Sequence, residues 1–236
     1  MLSHYCERSG PGLWAEPLNA ASNAAFILAG LVAYLAWRGR PARDWPVLGL
    51  IGLVFAIGVG SFLFHTRPGP RTVLADVVPI QLFVLGYLAF ALRRLLGCRL
   101  WQLAAGLVLL VGAEIVVPRL VSAGQGSAAY LPALVALFVI GLALIGRAHL
   151  AMLDFARGTD REGAALLGLK AARTGRRIIG AGMVFTVSLG LRALDVPLCA
   201  RLPTGTHFVW HLLNAVTLLL LLLAALRHDE AVAEAE

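Results

Sequence analysis

His207 and His211 stand four residues apart in the stretch Gly205-Thr206-His207-Phe208-Val209-Trp210-His211, at the mouth of the apolar run Leu212–Leu226. Four-residue spacing stacks two side chains on one face of a helix. An imidazole pair at the edge of a hydrocarbon slab is costly without a partner. For two neutral imidazoles the natural partner is a transition metal, most often zinc. The same spacing recurs at Ser61 and His65, which close the run Gly60-Ser61-Phe62-Leu63-Phe64-His65. Past the turn Arg67-Pro68-Gly69-Pro70-Arg71 comes Asp76, early in the next apolar run. Three histidines with a coordination position left open form a catalytic zinc site, and a nearby carboxylate can manage the proton of the attacking water. The competing reading is that these groups only snorkel to the membrane surface.

Whether the five residues can meet depends on the elements that carry them. The chain of 236 residues is 59% hydrophobic and 14% charged, with a mean hydropathy of +0.82. That composition indicates a polytopic membrane protein. A spanning helix needs about 20 apolar residues. Seven stretches qualify: Asn19–Trp37, Pro46–Phe64, Val73–Leu92, Leu100–Val117, Ala129–Gly146, Ile178–Leu194 and His207–Leu226. The expected fold is therefore all-α, a seven-transmembrane-helix bundle in one membrane domain over 1–236. Residues 1–18 form an outer N-terminal segment, 19–226 the bundle and 227–236 a short acidic tail expected to be disordered. The long connection Arg147–Arg177 is expected to lie partly as an amphipathic interfacial helix. The start of the chain has no cleavable signal pattern, and no internal repeat is visible.

The formal charge of +7 is distributed by side. With alternating spans, Arg8, Arg67, Arg71, Arg119, Arg192 and Arg201 fall on the N-terminal side, and the other fourteen of the 20 basic residues fall opposite. The positive-inside rule then puts the N-terminus outside and the C-terminus in the cytoplasm. This distribution argues for topology and against a nucleic-acid partner, and no obligate protein partner is evident. It also places Ser61, His65, Asp76, His207 and His211 at one depth near the outer face. Ionisable residues inside spanning helices are rare and usually functional, so their convergence from three runs weighs more than any single motif.

Other polar residues read more blandly. Glu7 and Glu16 are solvated surface acids or, in the functional alternative, hard oxygen ligands for calcium. Glu114 is expected to snorkel or to join helices. His149 and His228 fall on the inner side as surface residues, and His4 precedes the membrane. Cys6 and Cys199 are both outside by the charge count, whereas Cys98 is inside. Outer compartments oxidise thiols, so a Cys6–Cys199 disulfide would tie the N-terminal segment to the loop before the last span.

Tyr5-Cys6-Glu7 followed by Ala15-Glu16-Pro17-Leu18-Asn19-Ala20-Ala21-Ser22-Asn23 resembles the opening of the alkaline ceramidases. Gly60-Ser61-Phe62-Leu63-Phe64-His65 with Asp76, Leu194-Asp195 with Cys199, and His207-Phe208-Val209-Trp210-His211 are similar to that family's later motifs, in the same order. Jointly they point to the wider superfamily of seven-helix membrane hydrolases, which includes adiponectin-receptor-like and GPI-remodelling proteins. The resemblance implies a zinc amidohydrolase that cleaves ceramide, or a similar N-acyl lipid, into a long-chain base and a fatty acid. His65, His207 and His211 would hold the zinc, Asp76 would be the acid/base group and Ser61 would support the oxyanion. Trp210 would touch the substrate, and Glu7, Glu16 and the Tyr5 carbonyl would bind calcium. Two of that family's calcium-site positions are His4 and Ser9 here.

Two readings of different class follow. One is a lipid hydrolase acting on a membrane substrate. The other is a seven-helix lipid-sensing receptor whose metal is structural. Structural zinc normally has four protein ligands, and only three histidines share this depth, which favours the enzyme. A transporter would show inverted repeats and broken mid-membrane helices; the sequence has neither.

Overall fold

A computed structural model describes residues 5–41, 43–121, 124–158 and 162–233. His4 and Arg161 lie outside the described residues. Seven helices are long and apolar enough to cross a membrane, and no strand occurs among the described residues. The protein is thus a multi-pass, all-α bundle.

The first span, Pro17–Arg38, is built from α1 (Pro17–Ser22) and α2 (Ala24–Arg38). The seam has a local cause. Ser22 Oγ and Asn23 Nδ2 both donate to the Asn19 carbonyl, at 3.0 and 2.7 Å, drawing it away from the helical ladder. The next helix, α3 (Trp45–Thr66), is capped by Asp44, whose Oδ1 accepts from the Val47 amide. Asp44 also accepts from Arg94, and its carbonyl accepts from Trp37 Nε1, so one residue ties three spans at that end.

Next come α4 (Pro70–Phe90), which runs on into a π-helical turn at Ala91–Leu95, and α5 (Leu100–Leu120). A short 3₁₀ segment (Gly124–Tyr130) leads into α6 (Leu131–Ala156), followed by α7 (Glu162–Leu198) and α8 (His207–Ala233). Helix α8 is central, packing against α1, α2, α3 and α7. Leu221, Leu222, Ala224, Ala225 and Leu226 in its second half are buried.

Two boundaries differ from the sequence expectation. The connection 147–177 is no interfacial helix: α6 runs to Ala156 and α7 begins at Glu162. At about 1.5 Å per residue, the 37 residues of α7 extend roughly 55 Å, well past a ~30 Å hydrocarbon slab. The amphipathic signal belongs to the projecting end of a spanning helix. Likewise the last helix continues through Arg227 to Ala233, where a disordered tail was expected.

Candidate metal centre

The site is assembled at the end of the bundle where α3 finishes and α4 and α8 begin. Gly60 brings the first pair together. A Cβ there would lie 1.9 Å from the Ala75 carbonyl oxygen, so α3 and α4 touch backbone to backbone. The residues next to that contact, Ser61 and Asp76, consequently meet, and the serine hydrogen-bonds the carboxylate. One helical turn past Ser61, His65 is fully buried.

The start of α8 is fixed from α7. Asp195, buried within the bundle, accepts from the amides of Thr206 and His207 through Oδ1, at 2.7 and 3.0 Å. Its Oδ2 accepts from the Cys6 amide at 3.2 Å. Gly205 makes this cap possible. Its φ is +64°, and a Cβ would fall 2.1 Å from Asp195 Oδ1. Cys6 and Cys199 are disulfide-bonded as expected, with Cα atoms 5.2 Å apart across 193 residues of sequence. Cys98 is a free thiol near the other end.

These constraints bring His65, His207 and His211 into one buried cluster. Their ring centroids lie 4.6–5.2 Å apart, and one ligand atom from each falls within 4.8 Å of the others. Among the described residues, His65 Nε2 and His207 Nδ1 are buried with no hydrogen-bond partner. A buried polar atom left unpaired is costly, so two orphaned imidazole nitrogens in one cluster fit a cation. The other side of the rings fits as well. His65 Nδ1 lies 2.5 Å from Glu16 Oε2, and His211 Nδ1 lies 2.8 Å from Ser22 Oγ. Metal-binding histidines are usually held in this way by a carboxylate or other oxygen on the ring nitrogen facing away from the ion. The donor set is nitrogen-only from protein, which suits zinc better than a hard cation.

The three residues read as calcium ligands have other partners here. Both oxygens of Glu7 accept from the amides that open α1, Leu18 at 2.6 Å and Asn19 at 2.8 Å. Glu16, entirely buried, pairs with the Arg8 guanidinium, Asn19 and His65. The Tyr5 carbonyl accepts from the Arg8 amide at 3.2 Å. The Tyr5 ring stacks on His207, with centroids 3.9 Å apart. Burial pushes the Tyr5 phenol well above its usual range against the opposing field of Arg192, so it stays a neutral group at physiological pH.

Tyr5, Ser61, Asp76, His207, His211 and Arg192 line a polar cavity. It adjoins a larger apolar cavity, with Ile57, Ile80, Tyr130, Trp210 and Asn214 lining both. Along α8 the apolar cavity is lined from Trp210 to Leu221, about 16 Å at the helical rise. That is roughly half of a ~30 Å hydrocarbon slab, the depth of one leaflet. Trp210 is buried between Tyr130 and Phe185 at the junction.

The remaining sequence candidates fall away from the cluster. Glu114 accepts from Gln81 at 2.5 Å and links α5 to α4, in line with a helix-joining role. His149 is exposed. His228 is not a simple surface residue: it is half-buried and lies 3.2 Å from Thr174 Oγ1. The contacts of Ser22, Arg192 and Asn214 were not anticipated. Asp195 carried one usable signal, since Asp195 and Cys199 share a helical face.

The molecule is thus a seven-helix membrane protein with a buried three-histidine cluster beside a polar cavity that adjoins an apolar one. Comparison with family models, with curated proteins and with solved structures finds no match to the chain in any of the three.

Proposed function

We propose that the protein is a zinc-dependent hydrolase that cleaves the amide bond of a membrane lipid, ceramide or a similar N-acyl lipid. The observation that carries this reading is the buried cluster of His65, His207 and His211, with two unpaired ring nitrogens, beside a polar cavity that adjoins a leaflet-deep apolar one. When bound, zinc supplies Lewis-acid polarisation of a carbonyl and acidification of a water. The rest falls to the chain. Glu16 and Ser22 hold the His65 and His211 rings in orientation. Asp76, steadied by Ser61, takes the proton from the attacking water and passes it to the departing amine. Ser61 Oγ directs its one proton to that carboxylate at rest, and once Asp76 has taken up the water proton the hydroxyl is released to donate to the oxyanion. The apolar cavity holds the acyl chain, with Trp210 at the point where chain gives way to head group. Calcium at Glu7, Glu16 and Tyr5 stays outside this proposal, because each of those groups already has a partner within the chain.

The site end carries the N-terminal segment and the disulfide, whereas Arg40 and Arg147 bind the Leu226 and Leu96 carbonyls at the opposite end. We accordingly place the site on the non-cytoplasmic face. Labelling of a cysteine introduced at Gly69 only from the cytoplasmic side would reverse that placement. The chemistry is tested with Asp76→Asn. This near-isosteric change should keep the zinc while turnover of an N-acyl lipid falls about 10²–10⁴-fold. Metal analysis and a lipid-hydrolysis assay on the same sample decide it, and turnover equal to wild type would refute the role given to Asp76.

A further inference from the structure

We propose that Arg192 gives the site a preference, among N-acyl lipids, for those bearing a carboxylate beside the scissile amide, so that N-acyl amino acids are bound and cleaved ahead of neutral N-acyl lipids such as ceramide. The inference rests on the hydrolase reading and deepens it. Arg192 is the one cation among the residues that line the polar cavity, which it shares with Ser61, Asp76, His207 and His211. It is also held firmly. Its guanidinium carbon sits 5.3 Å from the ring centroids of both Tyr130 and Trp210, and Nη1 donates to the buried Ser127 hydroxyl at 3.2 Å. The helix beneath it is clamped to α8 on either side of Arg192. Ser188 donates to the Trp210 carbonyl at 3.1 Å, Thr206 to the Leu191 carbonyl at 2.5 Å, and Asp195 accepts from the start of α8.

Position then sets the chemistry. Tyr130 and Trp210 are both the shelf under the guanidinium and part of the wall of the apolar cavity. An amphiphile with its chain in that cavity and its carbonyl at the histidines leaves its head group in the polar cavity with Arg192. A planar guanidinium matches a carboxylate in charge and in two-point geometry, which a neutral hydroxyl cannot reproduce. In an N-acyl amino acid the carboxylate is one carbon away from the amide nitrogen, within the compass of this small cavity. The reaction consumes one water. The C–N bond breaks, a C–O bond forms on the acyl carbon, the amine leaves with a proton, and the products are a fatty acid and an amino acid.

The experiment compares N-dodecanoylglycine with N-dodecanoylethanolamine, which differ chiefly in carboxylate against hydroxyl, on the full chain in nanodiscs. Hydrolysis is measured on zinc-loaded protein and equilibrium binding on chelator-treated protein, with empty nanodiscs subtracted. Wild type should bind the glycine conjugate about 10²-fold more tightly than the ethanolamide, the scale of a charge-assisted two-point contact. Arg192→Gln should erase that preference and raise KM for the glycine conjugate by a similar factor, leaving the ethanolamide within about threefold. Arg192→Lys, which keeps the charge without the fork, should restore part of it. Equal binding of the two lipids by wild type, or equal weakening of both by Arg192→Gln, would overturn the proposal. If the binding preference holds and neither lipid is hydrolysed, the carboxylate site stands and the hydrolase reading fails.

Discussion

Helices α8 and α5 are nearly indistinguishable by composition and nearly opposite in role. The spanning segment of α8 has a mean hydropathy of 2.2 and that of α5 has 2.1. Yet α8 is enclosed by four neighbouring helices, whereas α5 buries a single residue, Leu110. In lipid no hydrophobic force favours the enclosure of one apolar helix over another. The polar groups decide it. The α8 helix begins at an Asp195 cap, carries two site histidines and bears Asn214 and Thr217, which are buried. On α5 the one polar link to a neighbour among the described residues is Glu114 with Gln81, at its site-side end. Hydropathy puts a helix in the membrane, and buried polar groups then fix its place in the bundle.

The comparison is broken most severely at the histidines. Replacing both His207 and His211 by alanine should take the zinc content from about one per chain to near zero, since one remaining imidazole cannot hold the ion. Metal analysis of the purified variant checks this, and retained zinc would move the binding site elsewhere. Next in size is the tie that holds the start of α8. Opening a loop of this length with Cys199→Ser should cost about 2–5 kcal/mol, read as a lowered unfolding midpoint in detergent. The same reductant sensitivity should be present in wild type and absent from the variant.

The seven spans and the convergence of Ser61, His65, Asp76, His207 and His211 were legible because hydropathy length and i,i+4 spacing are local properties of sequence. Sidedness added Cys6 with Cys199. The residues behind the histidines were not legible in the same way. Glu16 reads as a surface acid next to a proline, and only the fold of the N-terminal segment over α3 buries it against His65. Ser22 looks like an ordinary helical serine until the α1–α2 seam turns it toward His211. Arg192 counts as one more outer-side cation, and its place over Tyr130 and Trp210 depends on three helices meeting. The extents of α7 and α8 were misjudged for a simpler reason. Hydropathy ends at the slab, while a helix with continuing propensity does not.

The smallest expected effect is the sharpest test of the contrast between the two helices. Leu222 on α8 is wholly buried, and Leu109 on α5 is 74% exposed to what would be lipid. Truncating Leu222 to alanine leaves a cavity among close-packed neighbours and should cost about 2–4 kcal/mol. Truncating Leu109 exchanges one apolar surface against lipid for another and should change stability by less than about 0.5 kcal/mol. Reversible unfolding of both variants in the same bilayer mimic gives the difference directly. A cost for Leu109→Ala approaching that for Leu222→Ala would mean that the outer face of α5 is not lipid-facing. It would then have to pack against another protein surface, and α5 would be an interface helix whose burial is completed outside the single chain.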